Sequence, residues 1–202
     1  NPLESYVEKL DAVVFQESLG TVRAKAQRLA ALAGHLADDA KLSEQDAADL
    51  KRAAYLCKAD LVTNAVIEFT SVQGVMGSYY ALASGETPQV AQAIGQHYQP
   101  RFAGDAAPDT VVGKLVAFAD KLDTICGLFA VDQGPTGSSD PFALRRSAIG
   151  IVGMLEAGLP VSLDAAIDFS LDEFDRQGVT FDRNAVRAAV VDFFVTRTKV
   201  IL

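Results

Sequence analysis

Residues 110–130 read Thr-Val-Val-Gly-Lys-Leu-Val-Ala-Phe-Ala-Asp-Lys-Leu-Asp-Thr-Ile-Cys-Gly-Leu-Phe-Ala, and this stretch decides the fold class. Val111, Leu115, Phe118, Leu122, Ile125 and Phe129 recur at 4-3-4-3-4 spacing, which places them on one face of a helix. Val112, Val116, Ala119 and Cys126 widen that stripe beyond about 100°, predicting a central helix buried on two sides. Asp123 falls at the margin of the stripe and Asp120 further out.

Working outward, the flanking segments also read as helices. Val22, Ala26, Leu29, Leu32 and Leu36 keep helical spacing after Thr21, and Ser43 with Asp46 forms a weak capping box before Leu50, Ala54 and Cys57. Leu10, Val13 or Val14 and Phe15 suggest a first amphipathic stretch stopped near Gly20. Between Leu56 and Tyr98, two or three short helices are punctuated by Gly74, Gly77 and Gly85, and Pro88 opens the next helix at its first position. Asp140 and Pro141 read as N-cap and first residue of a helix that ends near Gly158. Ser162 and Asp182 cap the last two. No strand is read anywhere. The fold class is therefore all-α, a multi-helix bundle over 1–158 followed by C-terminal helices over 159–202 packed on the same body.

The totals narrow the function. Half of the 202 residues are apolar, enough for a sizeable core, while a net charge of −8 means that nucleic acid is met only through a local basic patch. Cys57 and Cys126 each sit in apolar helical sequence and read as buried free thiols. No secretory signal or membrane-spanning stretch is seen, so a cytoplasmic location is expected, with no membrane or DNA partner. The chain starts at Asn1 and stops at Val200-Ile201-Leu202 without a capping signal, and so reads as an internal piece of a larger protein.

Catalytic chemistry finds few residues. His35 and His97 are far apart in the chain and neither has a cysteine at ligand spacing, so a zinc site is not expected. The 134–139 loop lacks the Lys-Ser/Thr ending of a phosphate-binding loop. Basic pairs remain: Arg145 with Arg146, Lys114 with Lys121, and Arg183, Arg187, Arg197 and Lys199 on the last helix.

The order of motifs adds to this reading. Pro2-Leu3, then Val14-Phe15-Gln16-Glu17-x-Leu19-Gly20-Thr21, Lys58-Ala59-Asp60-Leu61-Val62-Thr63 and Gln73-Gly74-Val75-Met76-Gly77-x-Tyr79-Tyr80-Ala81 resemble the β subunit of bacterial tetrameric glycyl-tRNA synthetase. So do His97-Tyr98-x-Pro100, Ala119-Asp120-Lys121-Leu122-Asp123-Thr124 and the block Pro135-Thr136-Gly137-Ser138-x-Asp140-Pro141-Phe142-Ala143-Leu144-Arg145-Arg146. The sequence departs from that family after Glu68-Phe69, where Thr70-Ser71-Val72 replace the usual Pro-Glu-Leu.

The resemblance implies an α2β2 ligase whose α subunit activates glycine with ATP and Mg2+, and whose β subunit handles glycine tRNA. An anticodon-binding-type domain is expected beyond Leu202. The resemblance also implies a helical HD fold, named for a metal-binding His-Asp pair. Here Ala59-Asp60 stands at that pair, and Asp120 or Asp123 at the last ligand position. A cage so poor in imidazole is expected to hold no metal, leaving a degenerate HD fold with no cofactor and no catalytic residue of its own. Asp60 and Asp123 are then expected to be buried and held by Lys58 or Lys121. The expected tRNA contacts are Arg145 and Arg146 first, Lys114 and Lys121 second; docking onto the α subunit without tRNA contact is the alternative.

Overall fold

The computed structural model describes the backbone of residues 1–201 and the side chains of residues 1–198; Lys199 and the terminal Val200-Ile201-Leu202 lie outside the described side chains. The chain is helical almost throughout. In order it forms α1 (Val22–Asp39), α2 (Glu44–Leu56), α3 (Asn64–Glu68), α4 (Val75–Ala83), α5 (Pro88–Gln96), α6 (Val111–Ala130), α7 (Leu144–Glu156), α8 (Leu163–Arg176) and α9 (Arg183–Ile201). No helix among the described residues is long and apolar enough to cross a membrane.

Helix α6 is the axis of the bundle, and α1, α2, α5, α7, α8 and α9 all pack against it. Leu115, Val116, Phe118, Ala119, Leu122, Ile125 and Cys126 are fully buried, as their spacing requires. Val111 departs from the expected stripe: it lies at the exposed first residue of the helix and is 43% accessible. Asp120 and Asp123 depart the other way. Both are buried, because α1 covers the face on which the sequence pattern alone would leave them marginal. Gly127 allows this packing, since a Cβ there would stand 2.7 Å from Phe174 Cζ on α8 and 2.9 Å from Leu19 Cδ1.

Side-chain caps set most helix starts. Thr21, Ser43, Thr87, Thr110 and Ser162 each accept a hydrogen bond from the backbone N–H three residues on, satisfying a donor the helix itself cannot. Helix α7 differs from the expected start at Asp140-Pro141. It begins at Leu144, after Ala143 in a left-handed conformation with φ 55°, and the Asp140 carboxylate reaches forward to accept from the N–H groups of Leu144 and Arg145. Asp140 still satisfies the helix start, but from outside the turn.

The N-terminal segment corrects the sequence reading. Instead of an amphipathic helix it forms two 3-10 turns, Leu3–Tyr6 and Glu8–Ala12, and a short antiparallel ribbon of β1 (Val14–Gln16) with β2 (Gly20–Thr21). The β-branched Val13-Val14 and Phe15 suit extended backbone. The Gln16 side chain accepts from the N–H groups of Ser18 and Leu19, and Gly20 takes φ 85°, closing the turn that the ribbon needs. Helices α8 and α9 pack onto α1, α6 and α7, so their apolar faces close the same core.

Candidate functional site: a cation-lined cleft beside the central helix

Two residues that the sequence reading passed over organise the interior. Lys25 and Arg28 lie on the buried face of α1, with Lys25 only 3% and Arg28 1% accessible. Arg28 Nε donates to Asp123 Oδ1 at 2.7 Å and its Nη2 to Oδ2 at 3.1 Å, a two-pronged grip. Lys25 Nζ donates to the same carboxylate at 2.8 Å and lies 3.2 Å from Asp120 Oδ1. Asp120 Oδ2 in turn accepts from Lys58 Nζ at 2.9 Å. The guanidinium of Arg28 rests over the Phe174 ring, and the Lys25 and Lys58 ammonium groups rest over Phe15 and Tyr98. Aromatic faces thus supply part of the solvation that burial removes.

His97 completes this cluster. Its Nδ1 lies 2.6 Å from the Ile94 carbonyl and its Nε2 3.1 Å from Lys58 Nζ. A carbonyl only accepts and an ammonium only donates, so Nδ1 carries the proton and Nε2 accepts. Burial, reinforced by the Lys58 charge, pushes the imidazole pKa down to about 3, and the ring stays neutral. For Asp120, burial alone would raise the pKa, but Lys58 and Lys25 outweigh it and hold the carboxyl well below its usual range. Lys25 and Arg28 overcome burial at Asp123 in the same way. Burial also pushes the free thiols Cys57 and Cys126 up to about 12, making both inert packing groups as the sequence suggested.

Asp60 does not join this arrangement. Its Oδ2 accepts from the N–H groups of Gly74 at 2.6 Å and Gly77 at 3.0 Å, while Oδ1 is buried without a partner. Burial raises its pKa and the two amides only partly offset that. The expected grip of Lys58 or Lys121 on Asp60 and Asp123 is therefore corrected: backbone amides hold Asp60, and Lys25 with Arg28 hold Asp123. Lys58 serves Asp120 instead. Lys121 donates to the Tyr98 and Gln99 carbonyls at 3.2 and 3.1 Å. The residues do not fit a metal. Among the described residues no group of three or more His, Cys, Asp and Glu side chains is placed to hold one. The carboxylate oxygens of Asp120 and Asp123 are taken by ammonium and guanidinium groups.

Beside the cluster opens a cleft of about 480 Å³. Lys25, Lys58 and Lys121 form its floor and Arg101 and Arg146 its rim, with Asp120 the only carboxylate in its lining. Of the basic residues picked out from sequence, the structure brings Lys121 and Arg146 to this cleft. Lys114 and Arg146 line an adjoining groove with Phe102, Ile149 and Met154. Arg145 is not part of either, because its guanidinium turns back to the Gly137 carbonyl at 2.6 Å. Arg183 and Arg187 are engaged by Asp168, Asp172 and Asp164.

The signal for Lys25 and Arg28 was available but ambiguous. They stand at helical spacing among Val22, Leu29 and Leu32, where a charge must either snorkel outward or find a buried partner. The contact of His97 with Lys58 had no local signal, since the two are 39 residues apart.

The fold and cleft thus define a helical module whose interior is locked by its own cations rather than by a metal. A family model described as glycyl-tRNA synthetase beta subunit matches residues 1–202. The chain is 46% identical over 204 residues to the glycine–tRNA ligase beta subunit of Desulforamulus reducens, covering 100% of this chain and 29% of that protein. It is 43% identical over 202 residues to the subunit of the same name from Trichodesmium erythraeum, covering 100% of this chain and 28% of that one. The chain belongs to the glycyl-tRNA synthetase β subunit family, and it spans less than a third of the length of these curated relatives.

Proposed function

We propose that this chain is a non-catalytic helical region of a glycine–tRNA ligase β subunit that helps bind and position glycine tRNA. Charging would then take place on the α subunit, which supplies the site for ATP and Mg2+. The observation that carries this reading is the basic edge formed by Arg146 with Lys114 on one side and Arg101 with Lys121 on the other. In a chain of net charge −8, a positive edge of this kind is where phosphates are met. Arg145, engaged by Gly137, is the weaker half of the Arg145–Arg146 pair.

The test is charge reversal in the intact α2β2 enzyme. Lys114→Glu with Arg146→Glu is expected to weaken tRNA binding about tenfold and to flatten its salt dependence, while glycine-dependent ATP turnover stays unchanged. Unaltered tRNA affinity and salt slope would remove this edge from tRNA binding.

A second reading, docking onto the α subunit, is favoured by a different surface. Val75, Tyr79 and Leu82 are exposed along one face of α4, beside exposed Ile67 and Phe69. An apolar stripe of this kind is an interaction surface by composition. Tyr79→Lys with Leu82→Lys should weaken association with α if this face docks there, and leave it unchanged if it does not.

A further inference from the structure

The charge in the cleft does not balance. Its lining carries five cations, Lys25, Lys58, Arg101, Lys121 and Arg146, against one carboxylate, Asp120; behind the floor, Asp123 is shared by Lys25 and Arg28. Asp60 turns to backbone amides and accepts from none of these cations. At the rim Arg101 and Arg146 add positive charge, and among the described residues neither they nor Lys121 lie in an ion pair. Asp105 caps its own loop by accepting from the N–H groups of Arg101 and Ala106. An excess of positive charge lining a cleft is unfavourable unless an anion answers it, and a chain with a net charge of −8 does not need these cations for solubility.

The geometry points to a built anion site: this cleft takes one phosphoryl group of a nucleotide, bound by Lys121, Arg101 and Arg146, with Phe142 and Tyr98 as the wall for the attached nucleoside. The division of labour follows from the hydrogen bonds. Lys25 is held by Asp120, Asp123 and Thr124, and Lys58 by Asp120, His97 and the Tyr98 ring, so that the two form a fixed positive back wall. Lys121 spends its bonds on two backbone carbonyls, so its charge is oriented but not neutralised. Arg146 donates from one nitrogen to the Arg101 carbonyl, and most of its planar fork remains for phosphate oxygens. Phe142, 40% exposed at the mouth, offers a ring face for a base. Nothing in the floor activates water against the phosphorus, because each carboxylate is already capped by a cation and His97 spends its one free nitrogen on Lys58. The ligand is therefore held, not hydrolysed.

This inference deepens the tRNA reading and rests on it only for the source of the phosphate, which is either a phosphate of bound RNA or a free nucleotide. Equilibrium dialysis of the full-length β subunit, without α, against labelled inorganic phosphate and adenosine 5′-monophosphate measures the site directly. Filter binding of tRNA to the same protein measures it through the polymer. Arg101→Ala with Arg146→Ala alters only the rim, and Lys121→Met alters the floor. Saturable binding of one phosphate or nucleotide per chain, weakened at least tenfold in both variants, supports a free-nucleotide source. No small-ligand binding, with tRNA affinity falling at least fivefold in both variants, supports an RNA phosphate. Phosphate binding that is lost in the variants while tRNA affinity is unchanged keeps the site and removes these residues from tRNA binding. The proposal is overturned if neither small ligand nor tRNA distinguishes the variants from the parent. Thermal melting of each variant reports its folding, and the rim variant keeps the test decisive should Lys121→Met unfold.

Discussion

Two buried carboxylate sites in this molecule solve the same problem differently. Asp120 and Asp123 on α6 have their pKa values lowered because Lys25, Arg28 and Lys58 surround them, whereas burial raises that of Asp60 in its cradle of two amides. The difference teaches that a buried carboxylate can be held either by side-chain cations or by the backbone. Where cations surround the group, its charged form is favoured. Where no cation came within bonding reach, close backbone packing at Gly74 and Gly77 holds the group instead.

The sharpest way to break this comparison is to strip the cation from Asp123. Arg28→Met leaves a buried carboxylate with Lys25 alone, and unfolding stability should fall by about 3–5 kcal/mol in a denaturant titration. Adding Asp123→Leu should restore most of that loss, since an apolar pair of similar volume needs no solvation. A single-variant loss below about 1 kcal/mol would show that Asp123 is not held by charge.

On the other side, Gly77→Ala presses on the Asp60 cradle. The added Cβ would stand 3.1 Å from Asp60 Oδ2 and 3.0 Å from Ile94 Cγ2, with neither neighbour free to withdraw. A loss of about 1–3 kcal/mol in thermal or chemical melts is expected, smaller than that of Arg28→Met. No measurable loss would mean that the amide cradle is looser than it looks.

The smallest effect concerns pH and has opposite signs at the two sites. Asp120 and Asp123 have lowered pKa values in the fold, so their stabilisation is present above the ordinary value of 3.8 and is lost as pH falls below it. Asp60 has a raised pKa, so the native state holds its proton to higher pH than the unfolded chain does. Its contribution is therefore greatest in acid and declines as pH rises through the window just above 3.8. Asp60→Asn keeps an oxygen for the two amides and should change neutral-pH stability by no more than about 1 kcal/mol. The difference in stability between parent and variant, followed from pH 3 to 7, should drift against the parent as pH rises. A flat difference would mean that Asp60 ionises as readily in the fold as outside it.

The legible parts of this structure were those written locally. Thr21, Ser43 and Ser162 mark helix starts because a hydroxyl reaches a backbone N–H only three residues away. The α6 stripe was readable because its period is that of the helix itself. The Val14–Thr21 ribbon was not, since so short a run carries apolar residues compatible with either period. Asp140 was recognised as a helix-start residue, yet the left-handed Ala143 that shifts the start to Leu144 left no mark in composition. Among the basic residues, sequence ranked Arg145 with Arg146 as neighbours, but adjacent residues on a helix point about 100° apart, and only Arg146 faces the cleft.

Taken alone, the order of residues determined the helical class, the central position of α6 and the family, since periodicity, caps and ordered motifs all operate over a few positions. Only the tertiary structure decided which charges meet. Asp123 is separated from Lys25 by 98 residues and from Arg28 by 95, and Asp120 from Lys58 by 62. Pairings at that range exist only once α1 has been laid along α6, because electrostatic attraction between solvated charges is screened over roughly 10 Å and becomes selective only where packing has removed the water.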